Sequence, residues 1–274
     1  MGRPLALVTG ASTGIGEQLA RVLAERGHDL VLVARDRARL EALAKELGEA
    51  RGATCEVLPA DLTDPGQLAA VEARAGAVDV LVNNAGFGTY GPFVELDVDG
   101  EDREVRLNVI AVVRLTHAAA RAMVGRGRGG ILNVASLAAF QPTPYDATYG
   151  ATKAFVFSFT QAIHEELRGT GVAVTVLCPG FTRTEFQARA GVGTDPVPSF
   201  MWQEADEVAR AGLDGLAKNR AVVIPGVLNR VVGNVSLVTP GALTRRVVSV
   251  VARRQRDAAQ AGSSRDTEPR RDST

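Results

Sequence analysis

The 274-residue sequence predicts an α/β protein in which a doubly wound parallel sheet carries helices on both faces. Apolar, β-branched runs alternate along the chain with longer stretches of helical periodicity, and short connections join them. The apolar runs are nearly continuous in Val, Ile and Leu, which indicates strands buried on both faces. No linker-like stretch divides residues 1–226, so we predict a single domain over that range.

Seven runs have the composition of strands, and they lie at 5–9, 29–35, 54–61, 78–86, 129–136, 172–180 and 220–226. Apolar residues at helical spacing predict helices near 14–26, 36–51, 64–76, 101–125 and 148–169. In the first of these, Ile15, Leu19 and Leu23 share one face. Pro65 falls in the first turn of the third helix, where its missing N–H is tolerated.

The C-terminal part of the chain has a different composition. Residues 227–253 group apolar side chains between arginines and contain Gly233, Pro240 and Gly241. This pattern predicts an extension that packs on the domain, on a partner subunit or on a membrane surface. Residues 254–274 are mostly Arg, Asp, Ser, Thr, Gln and Ala, which predicts a disordered tail.

Composition argues against several classes of function. Lys+Arg and Asp+Glu number 31 each, so the net charge gives no reason to expect nucleic-acid binding. Cys55 and Cys178 lie far apart in apolar runs, which predicts reduced, buried thiols and no metal site. The short apolar run near the N-terminus is unlike a signal peptide, and no apolar run reaches the ~18 residues of a membrane span. We therefore expect a cytoplasmic protein.

The turn after the first predicted strand reads TGASTGIG. Glycines let the chain turn sharply here, and they let a phosphate approach the backbone N–H groups that begin the next helix. The spacing differs from G-x-G-x-x-G, but the first turn of a doubly wound sheet is where dinucleotides bind. We predict a dinucleotide site that contains Gly10, Ser12, Thr13, Gly14, Ile15 and Gly16.

The end of the second predicted strand indicates which dinucleotide binds. NAD sites place a carboxylate there for the ribose 2′-hydroxyl, whereas a 2′-phosphate requires a cation. This strand ends in Ala34 and Arg35, and Asp36 is better placed to begin the next helix. The sequence thus predicts NADP(H) in preference to NAD(H), with Arg35 at the 2′-phosphate.

Five motifs follow one another along the chain: TGASTGIG, NNAG at 83–86, Ser136, YGATK at 149–153 and PGFTRT at 179–184. In this order they resemble the short-chain dehydrogenase/reductase family, and the resemblance covers residue 4 to about residue 226. It implies a seven-stranded parallel Rossmann sheet, hydride transfer between a nicotinamide and a carbonyl or alcohol carbon, and a homodimer or homotetramer.

Tyr149 and Lys153 stand four residues apart and therefore share one helical face. A free phenol has a pKa near ~10, and a neighbouring ammonium favours its ionised form. We expect Lys153 to lower the pKa of Tyr149, because proton transfer is most efficient when the pKa lies near the working pH. The resemblance makes Tyr149 the acid–base residue and gives both residues a second role in holding the cofactor.

Ser136 ends the fifth predicted strand, at the edge where open parallel sheets bind ligands. A hydroxyl there can donate to a carbonyl oxygen as negative charge develops on it. By resemblance Ser136 is the catalytic serine, and Asn108 bends its helix and holds a water that connects Lys153 to solvent. Without the resemblance, a satisfied core amide is an equally good interpretation of Asn108.

The resemblance also implies further cofactor contacts. Asp61, with Leu62 beside it, matches the residue that meets the adenine amino group. The loop beside the adenosine ribose and the loop that holds the nicotinamide carboxamide contribute Asn83, Ala85, Gly86, Pro179, Gly180 and Thr184.

Aromatic and apolar residues near the motifs predict the substrate. Leu137, Tyr145, Phe181 and Phe186 are expected to line an apolar pocket, with Phe140, Phe200, Met201 and Trp202 nearby. Such a pocket suits a lipophilic ketone, a 3-oxoacyl chain or a steroid-like or polyketide-like carbonyl, although half of these aromatics could be ordinary core. Two other hypotheses are a catalytically silent dinucleotide-binding regulator or scaffold, and an enzyme that also contacts membrane through residues 227–253.

Overall fold

The computed structural model describes residues 2–186 and 198–238 of the chain, and within them it contains one seven-stranded parallel sheet. The strands are β1 Leu5–Thr9, β2 Asp29–Ala34, β3 Cys55–Pro59, β4 Val80–Asn83, β5 Gly129–Val134, β6 Val172–Leu177 and β7 Val222–Val223. Their order is β3-β2-β1-β4-β5-β6-β7. The chain winds outward from β1 in one direction and then returns to β4 to wind in the other. The predicted doubly wound Rossmann sheet is confirmed.

Eight α-helices lie in the described part of the chain: α1 Gly14–Glu25, α2 Arg37–Arg51, α3 Pro65–Ala75, α4 Val98–Val105, α5 Val112–Arg126, α6 Ala147–Glu166, α7 Ala205–Ala217 and α8 Val227–Val238. A π-helical segment, Arg106–Ala111, joins α4 to α5. The sequence analysis did not predict α7, although Val208, Leu213 and Leu216 have helical spacing and are buried. Helix α8 is the described part of the extension at 227–253, and the predicted disordered tail lies outside the described residues.

Local signals in the sequence fix the ends of several helices. The Asp36 side chain accepts a hydrogen bond from the Arg39 N–H and caps α2, while Asp64 does the same for α3 through the Gln67 N–H. Asp36 therefore starts a helix, as its position after Arg35 predicts.

The sheet separates two hydrophobic clusters, because successive residues of each strand face opposite sides. Val8 and Leu132 pack in the cluster that contains residues of α1, α2 and α7. Leu7 and Ile131 pack in the other cluster, with residues of α3 and α5. Both faces are thus covered, which explains why the strands read as continuous apolar runs rather than alternating ones.

A buried polar network crosses the middle of the sheet. Asn83 and Asn133 are register partners in β4 and β5, and the Asn83 Nδ2 donates to Asn133 Oδ1 at 2.9 Å. It also donates to the Thr116 hydroxyl at 3.0 Å, while Asn133 Nδ2 donates to the Thr160 hydroxyl at 3.0 Å. The two amides therefore join β4, β5, α5 and α6.

By length and composition alone, the helical stretch Val98–Arg126 could cross a membrane. Its residues Leu115, Ala119 and Met123 pack in the hydrophobic core against the sheet, as in an interior helix of a globular protein.

Both cysteines are free thiols. Cys178 is buried, and Cys55 is partly buried.

The amide network yields a prediction about stability. Asn133→Ala removes the Oδ1 that accepts from Asn83 and the donor that meets Thr160, so we expect the free energy of unfolding to fall by about 2–3 kcal/mol. Urea unfolding of the wild type, Asn133→Ala, Asn83→Ala and the double variant measures this. Because the amides bond to each other, the double variant should lose less than the sum of the two single losses. A single-variant loss below about 0.5 kcal/mol would contradict the network's role.

Candidate active site

The four residues predicted to be catalytic come from three parts of the fold that meet at the carboxyl edge of the sheet. Ser136 follows β5, Tyr149 and Lys153 lie in the first turns of α6, and Asn108 lies in the π-helical segment. The loop after β4, which carries the NNAG motif, passes between Asn108 and α6. The structure therefore brings together residues that are up to 45 positions apart in sequence, as the motif order predicts.

Lys153 is almost completely buried, with 5% of its surface exposed. Its Nζ donates a hydrogen bond to the Val134 carbonyl at 3.0 Å and lies 5.5 Å from the centroid of the Tyr149 ring. A Cβ at position 86 would lie 3.3 Å from this Nζ and 3.0 Å from Asn108 Oδ1. Gly86 thus gives the lysine and the asparagine room to pack against the loop.

Asn108 ties that loop to α6. Its Oδ1 accepts from the Phe87 N–H at 3.2 Å, and its Nδ2 donates to the Phe87 carbonyl at 2.8 Å and to the Thr152 hydroxyl at 3.1 Å. Thr152 in turn donates to the Tyr149 carbonyl at 2.8 Å. The helix departs from α-helical geometry at Asn108, in line with the predicted irregularity, and π-helical turns of this kind recur at functional sites.

The pKa of the Tyr149 phenol moves in the direction opposite to our expectation, although the nearby Ser136 hydroxyl acts to lower it. Desolvation of the site raises the pKa of Tyr149, although part of the ring remains accessible, and the carboxyl groups of Asp146 and Glu104 raise it further. Burial also lowers the pKa of Lys153 to about 8. The protein's own groups therefore keep the phenol protonated at neutral pH, which is the form of a proton donor.

The glycine turn after β1 is closely packed. Gly10 and Gly14 have φ values of 68° and 59°, in the left-handed region that favours glycine. A Cβ on Gly16 would lie 2.2 Å from the Gly10 carbonyl oxygen and 2.3 Å from Asn84 Nδ2. That Nδ2 donates to the Thr9 carbonyl at 3.0 Å, so Asn84 holds the turn against β4. The sequence analysis missed Asn84, although it is the second asparagine of the NNAG motif.

The start of α1 fits an anionic ligand. Thr13 occupies the N-cap position, and its side chain makes no capping hydrogen bond. The first N–H groups of the helix are therefore available to a ligand, at the end where the helix dipole favours negative charge. Ser12 and Ile15 are partly exposed along the same turn. These donors and the tight glycine turn fit the pyrophosphate of a dinucleotide.

Residues predicted to contact adenosine divide into two groups. Arg35 is exposed at the end of β2, and its charge acts on Asp61 at the end of β3. Burial opposes ionisation of Asp61, but two hydrogen bonds from Thr63 and the charge of Arg35 lower its pKa overall. The side chains of Leu62 and Asn83 are instead buried in the core. The predicted cofactor contacts of these two residues would therefore be made by their backbone, at the edge of the sheet.

The loop after β6 closes the other side of the cleft. The Pro179 carbonyl accepts from the Leu137 N–H at 2.9 Å, which joins this loop to the segment after Ser136. Thr184 lies against the glycine turn, since a Cβ on Gly14 would be 3.0 Å from its Cγ2. The Glu185 carboxylate then pairs with Arg39 in the first turn of α2, at 2.9 and 3.0 Å. The loop thus spans from the catalytic residues to the adenosine side.

The predicted pocket residues have different surroundings. The Phe186 ring lies 5.5 Å from the Tyr149 ring, and the Phe181 ring lies 5.7 Å from that of Trp202. Tyr145 has a φ of 68°, an uncommon conformation for a non-glycine residue that turns the chain just before α6. Leu137 packs partly buried beside the small cluster around Phe140, which is itself core.

Ala85, Gly86 and Gly180 lie in the loops at this same edge. Gly180 is in contact with Asn229 of α8, since a Cβ there would be 2.5 Å from the Asn229 Nδ2. Ala85 packs partly buried, and its N–H donates to the Thr9 hydroxyl at 3.0 Å. The contact at Gly180 links the described part of the C-terminal extension to the cleft.

Comparisons with known proteins agree with this geometry. Residues 4–193 match the family described as short chain dehydrogenase. The chain is 34% identical over 201 residues to the ketoacyl reductase HetN of Nostoc, an alignment that covers 69% of this chain and 70% of HetN.

Two solved structures are similar over nearly the whole chain. One is a short-chain dehydrogenase from Sphingobium yanoikuyae in complex with NADPH, at 38% identity and a TM-score of 0.79, with 98% of each chain covered. The other is the bulky-bulky ketone specific alcohol dehydrogenase from Comamonas testosteroni, at 34% identity and a TM-score of 0.75, with 100% of this chain and 98% of that one covered.

The support that Asn84 gives to the glycine turn can be tested by nucleotide binding. Asn84→Asp keeps the shape of the side chain but removes the Nδ2 donor to the Thr9 carbonyl, so we expect the turn to loosen. The Kd for NADPH, measured by fluorescence titration, should rise about 10-fold, equivalent to ~1.4 kcal/mol. Asn219→Asp, which keeps the Oδ1 that accepts from the Val174 N–H, is the matched control. An unchanged Kd in Asn84→Asp would contradict this role.

Proposed function

The chain belongs to the short-chain dehydrogenase family, and we propose that it is an NADP(H)-dependent reductase of bulky, apolar ketones. Family membership makes it an oxidoreductase that uses a nicotinamide dinucleotide and acts on carbonyl or alcohol groups. The observation that carries the proposal is the convergence of Ser136, Tyr149 and Lys153, with Asn108 behind them, beside the glycine turn. A catalytically silent regulator or scaffold is disfavoured, since the complete set of chemical groups is present.

A bound nicotinamide dinucleotide supplies the hydride for reduction of the carbonyl carbon or accepts it from the alcohol carbon. Tyr149 donates its proton to the carbonyl oxygen as negative charge develops there. The Ser136 hydroxyl donates a hydrogen bond to the same oxygen and stabilises that charge. Lys153 supplies a positive charge beside the phenol. Asn108 hydrogen-bonds to both the loop after β4 and α6, and so holds the two segments together beside Lys153 and Tyr149.

The charge state of Tyr149 suits it to donate a proton in the reductive direction. Because desolvation and nearby carboxyl groups raise the pKa of Tyr149, the resting side chain carries the proton that reduction consumes. Oxidation would instead require the phenolate, which the same surroundings disfavour.

The preference for NADP(H) rests on the end of β2. Arg35 is exposed there, and within the described residues it makes no ion pair, so its guanidinium is available to a 2′-phosphate. A relative solved with NADPH supports this assignment. The other proposed cofactor contacts are the glycine turn, Asp61 and the loops after β4 and β6.

The substrate proposal rests on the apolar surroundings of Tyr149. Phe186 lies beside the phenol ring, and we propose that Leu137, Tyr145 and Phe181 complete the wall of the pocket. The relative from Comamonas testosteroni, similar over nearly the whole chain, is described as specific for bulky-bulky ketones, which supports this class.

Exposed apolar residues on the π-helical segment, α6 and α8 suggest how the chain associates with other copies or with a membrane. Ile110 in the π-helical segment and Phe155 on α6 are exposed, and we propose that a second copy covers them in a homodimer or homotetramer. Val227, Val231 and Val235 form an exposed stripe along α8. We propose a cytoplasmic enzyme whose extension at 227–253 packs on the domain, on a partner subunit or on a membrane surface, and sedimentation with liposomes tests the membrane alternative.

Tyr149→Phe removes the proton donor while keeping the ring. We expect kcat for NADPH-dependent ketone reduction to fall at least 10²-fold, the order of magnitude of general acid catalysis. The Kd for NADPH should change less than about threefold, because the phenol contributes one of many contacts. Tyr90→Phe, in the loop after β4, is the control and should retain most of kcat. Substantial turnover by Tyr149→Phe would overturn the assignment.

Arg35→Asp reverses the charge proposed to bind the 2′-phosphate. We expect the ratio of kcat/KM for NADPH to that for NADH to fall about 100-fold, since a repulsive carboxylate replaces a cation and can accept from a ribose hydroxyl. Arg37→Asp, at an exposed position two residues on, is the control. An unchanged ratio in Arg35→Asp would mean that the 2′-phosphate is recognised elsewhere.

A further inference from the structure

Three acidic side chains, here called the carboxyl cluster, lie beside the catalytic residues: Glu101 and Glu104 of α4, and Asp146 immediately before α6. Glu101 is 8% exposed and Glu104 is 0% exposed. Acidic residues are almost never so buried without a paired cation. Among residues 2–186 and 198–238, however, none of the three forms an ion pair within 4.0 Å. Their burial therefore needs another explanation.

Two threonines bind the cluster to the catalytic segments. The backbone N–H and the hydroxyl of Thr89, in the loop after β4, both lie 3.0 Å from Glu104 Oε2. The same hydroxyl also contacts Glu101 Oε1, and the Thr148 hydroxyl donates to Glu101 Oε2. Thr148 directly precedes Tyr149 in α6. The cluster thus connects the loop beside Lys153 with the turn that carries the phenol.

The Thr89 hydroxyl joins the two glutamates of the cluster. It lies within hydrogen-bonding distance of oxygens from both Glu101 and Glu104, so the two carboxyl groups lie close together. A neighbouring negative charge disfavours ionisation, and Glu101 acts in this way on Glu104.

Glu104 and Lys153 each have an incompletely satisfied charged group. Glu104 Oε1 is buried and has no hydrogen-bond partner. Lys153 carries three donors, and its one hydrogen bond among the described residues is to the Val134 carbonyl. After burial, Glu104 has the largest electrostatic effect on Lys153. The two groups are therefore suited to neutralise each other's charge in the interior.

We propose that Glu104 is a positioning residue for the hydride-transfer reaction: its carboxylate is the buried counter-charge that keeps Lys153 an ammonium beside Tyr149. The N–H and hydroxyl of Thr89 hold that carboxylate in place. This inference rests on the role proposed above for Lys153.

Burial shifts the pKa values of Glu104 and Lys153 and of the ionisable groups around them. Burial raises the pKa of Glu104 to about 7 and that of Asp146 to about 8, and it lowers that of Lys153 to about 8. Glu104 is thus ionised mainly above pH 7 and Lys153 mainly below pH 8, so both carry charge together in the window between. Asp146 stays mostly protonated in that window, and burial raises the pKa of Cys178, at the end of β6, so this thiol is neutral.

The experiment measures the charge of Lys153 directly. The chain has three lysines, Lys45, Lys153 and Lys218, so ¹³C-lysine NMR titration resolves each one, and Lys153→Arg assigns the signal. In Glu104→Gln we expect the midpoint of Lys153 to fall by about one pH unit, because the favourable charge is lost. Glu104→Asp keeps the charge, so its Lys153 midpoint should lie close to the wild-type value. Asp102→Asn, an exposed change on the same helix, should leave the midpoint unchanged.

Kinetics give a second readout. In Glu104→Gln, the alkaline limb of the kcat–pH profile for NADPH-dependent reduction of benzil should move to lower pH, as the Lys153 midpoint does. We therefore expect kcat at pH 8 to fall about fivefold. KM for benzil should stay within about twofold. A merely structural role predicts an equal loss of kcat at every pH with an unmoved lysine midpoint, and that result would overturn the proposal.

A third variant covers the case in which Glu104→Gln fails to fold. Thr89→Val removes one donor to Glu104 Oε2, which makes the carboxylate less stable, so the Lys153 midpoint should move in the same direction by a smaller amount. An unmoved midpoint in Glu104→Gln, or in Thr89→Val where Glu104→Gln does not fold, rejects the inference. If the wild type reduces no ketone, the proposed function fails, but the lysine titration still tests the pairing of Glu104 with Lys153.

Discussion

The active site is organised around one constraint: an ammonium group must be kept in the dry interior of the protein. Lys153 packs closely against Gly86, which has no side chain, and Val134 supplies a carbonyl where β5 ends. Desolvation disfavours the charged form of the lysine, so the surroundings must compensate with hydrogen bonds or opposite charge. The carboxyl cluster, the asparagine in the π-helical segment and the loop after β4 all lie within this small region.

Most of the fold follows from local patterns in the sequence. Continuous Val, Ile and Leu runs give strands buried on two faces, and these patterns yield all seven strands at nearly the right positions. Helix α7 is not evident from the sequence because Gly212 and Gly215 lie among its apolar residues, and glycine is a weak helix former. The sequence also predicts strands that are several residues too long, since it does not show where the ladder of hydrogen bonds ends.

The catalytic residues were identifiable because motif order and spacing carry them, but their electrostatics were not. From the sequence, Lys153 is expected to lower the pKa of Tyr149, because these two ionisable groups are neighbours at helical spacing. The opposing carboxyl groups come from α4 and from the residue before α6, and only tertiary packing brings them to the phenol. Similarly, nothing in NNAG indicates that the first asparagine faces the core while the second supports the glycine turn.

The paired amides of β4 and β5 have a consequence for transplanting this site. Asn83 and Asn133 stand opposite each other, and each is followed three positions later by a residue of the site, Gly86 after β4 and Ser136 after β5. A slip of one residue would reverse the faces of a whole strand, so the amide pair sets the level at which both segments leave the sheet. A chimera that exchanges the catalytic segments with a related protein should therefore take both strands together, with each crossover on the amino side of its asparagine.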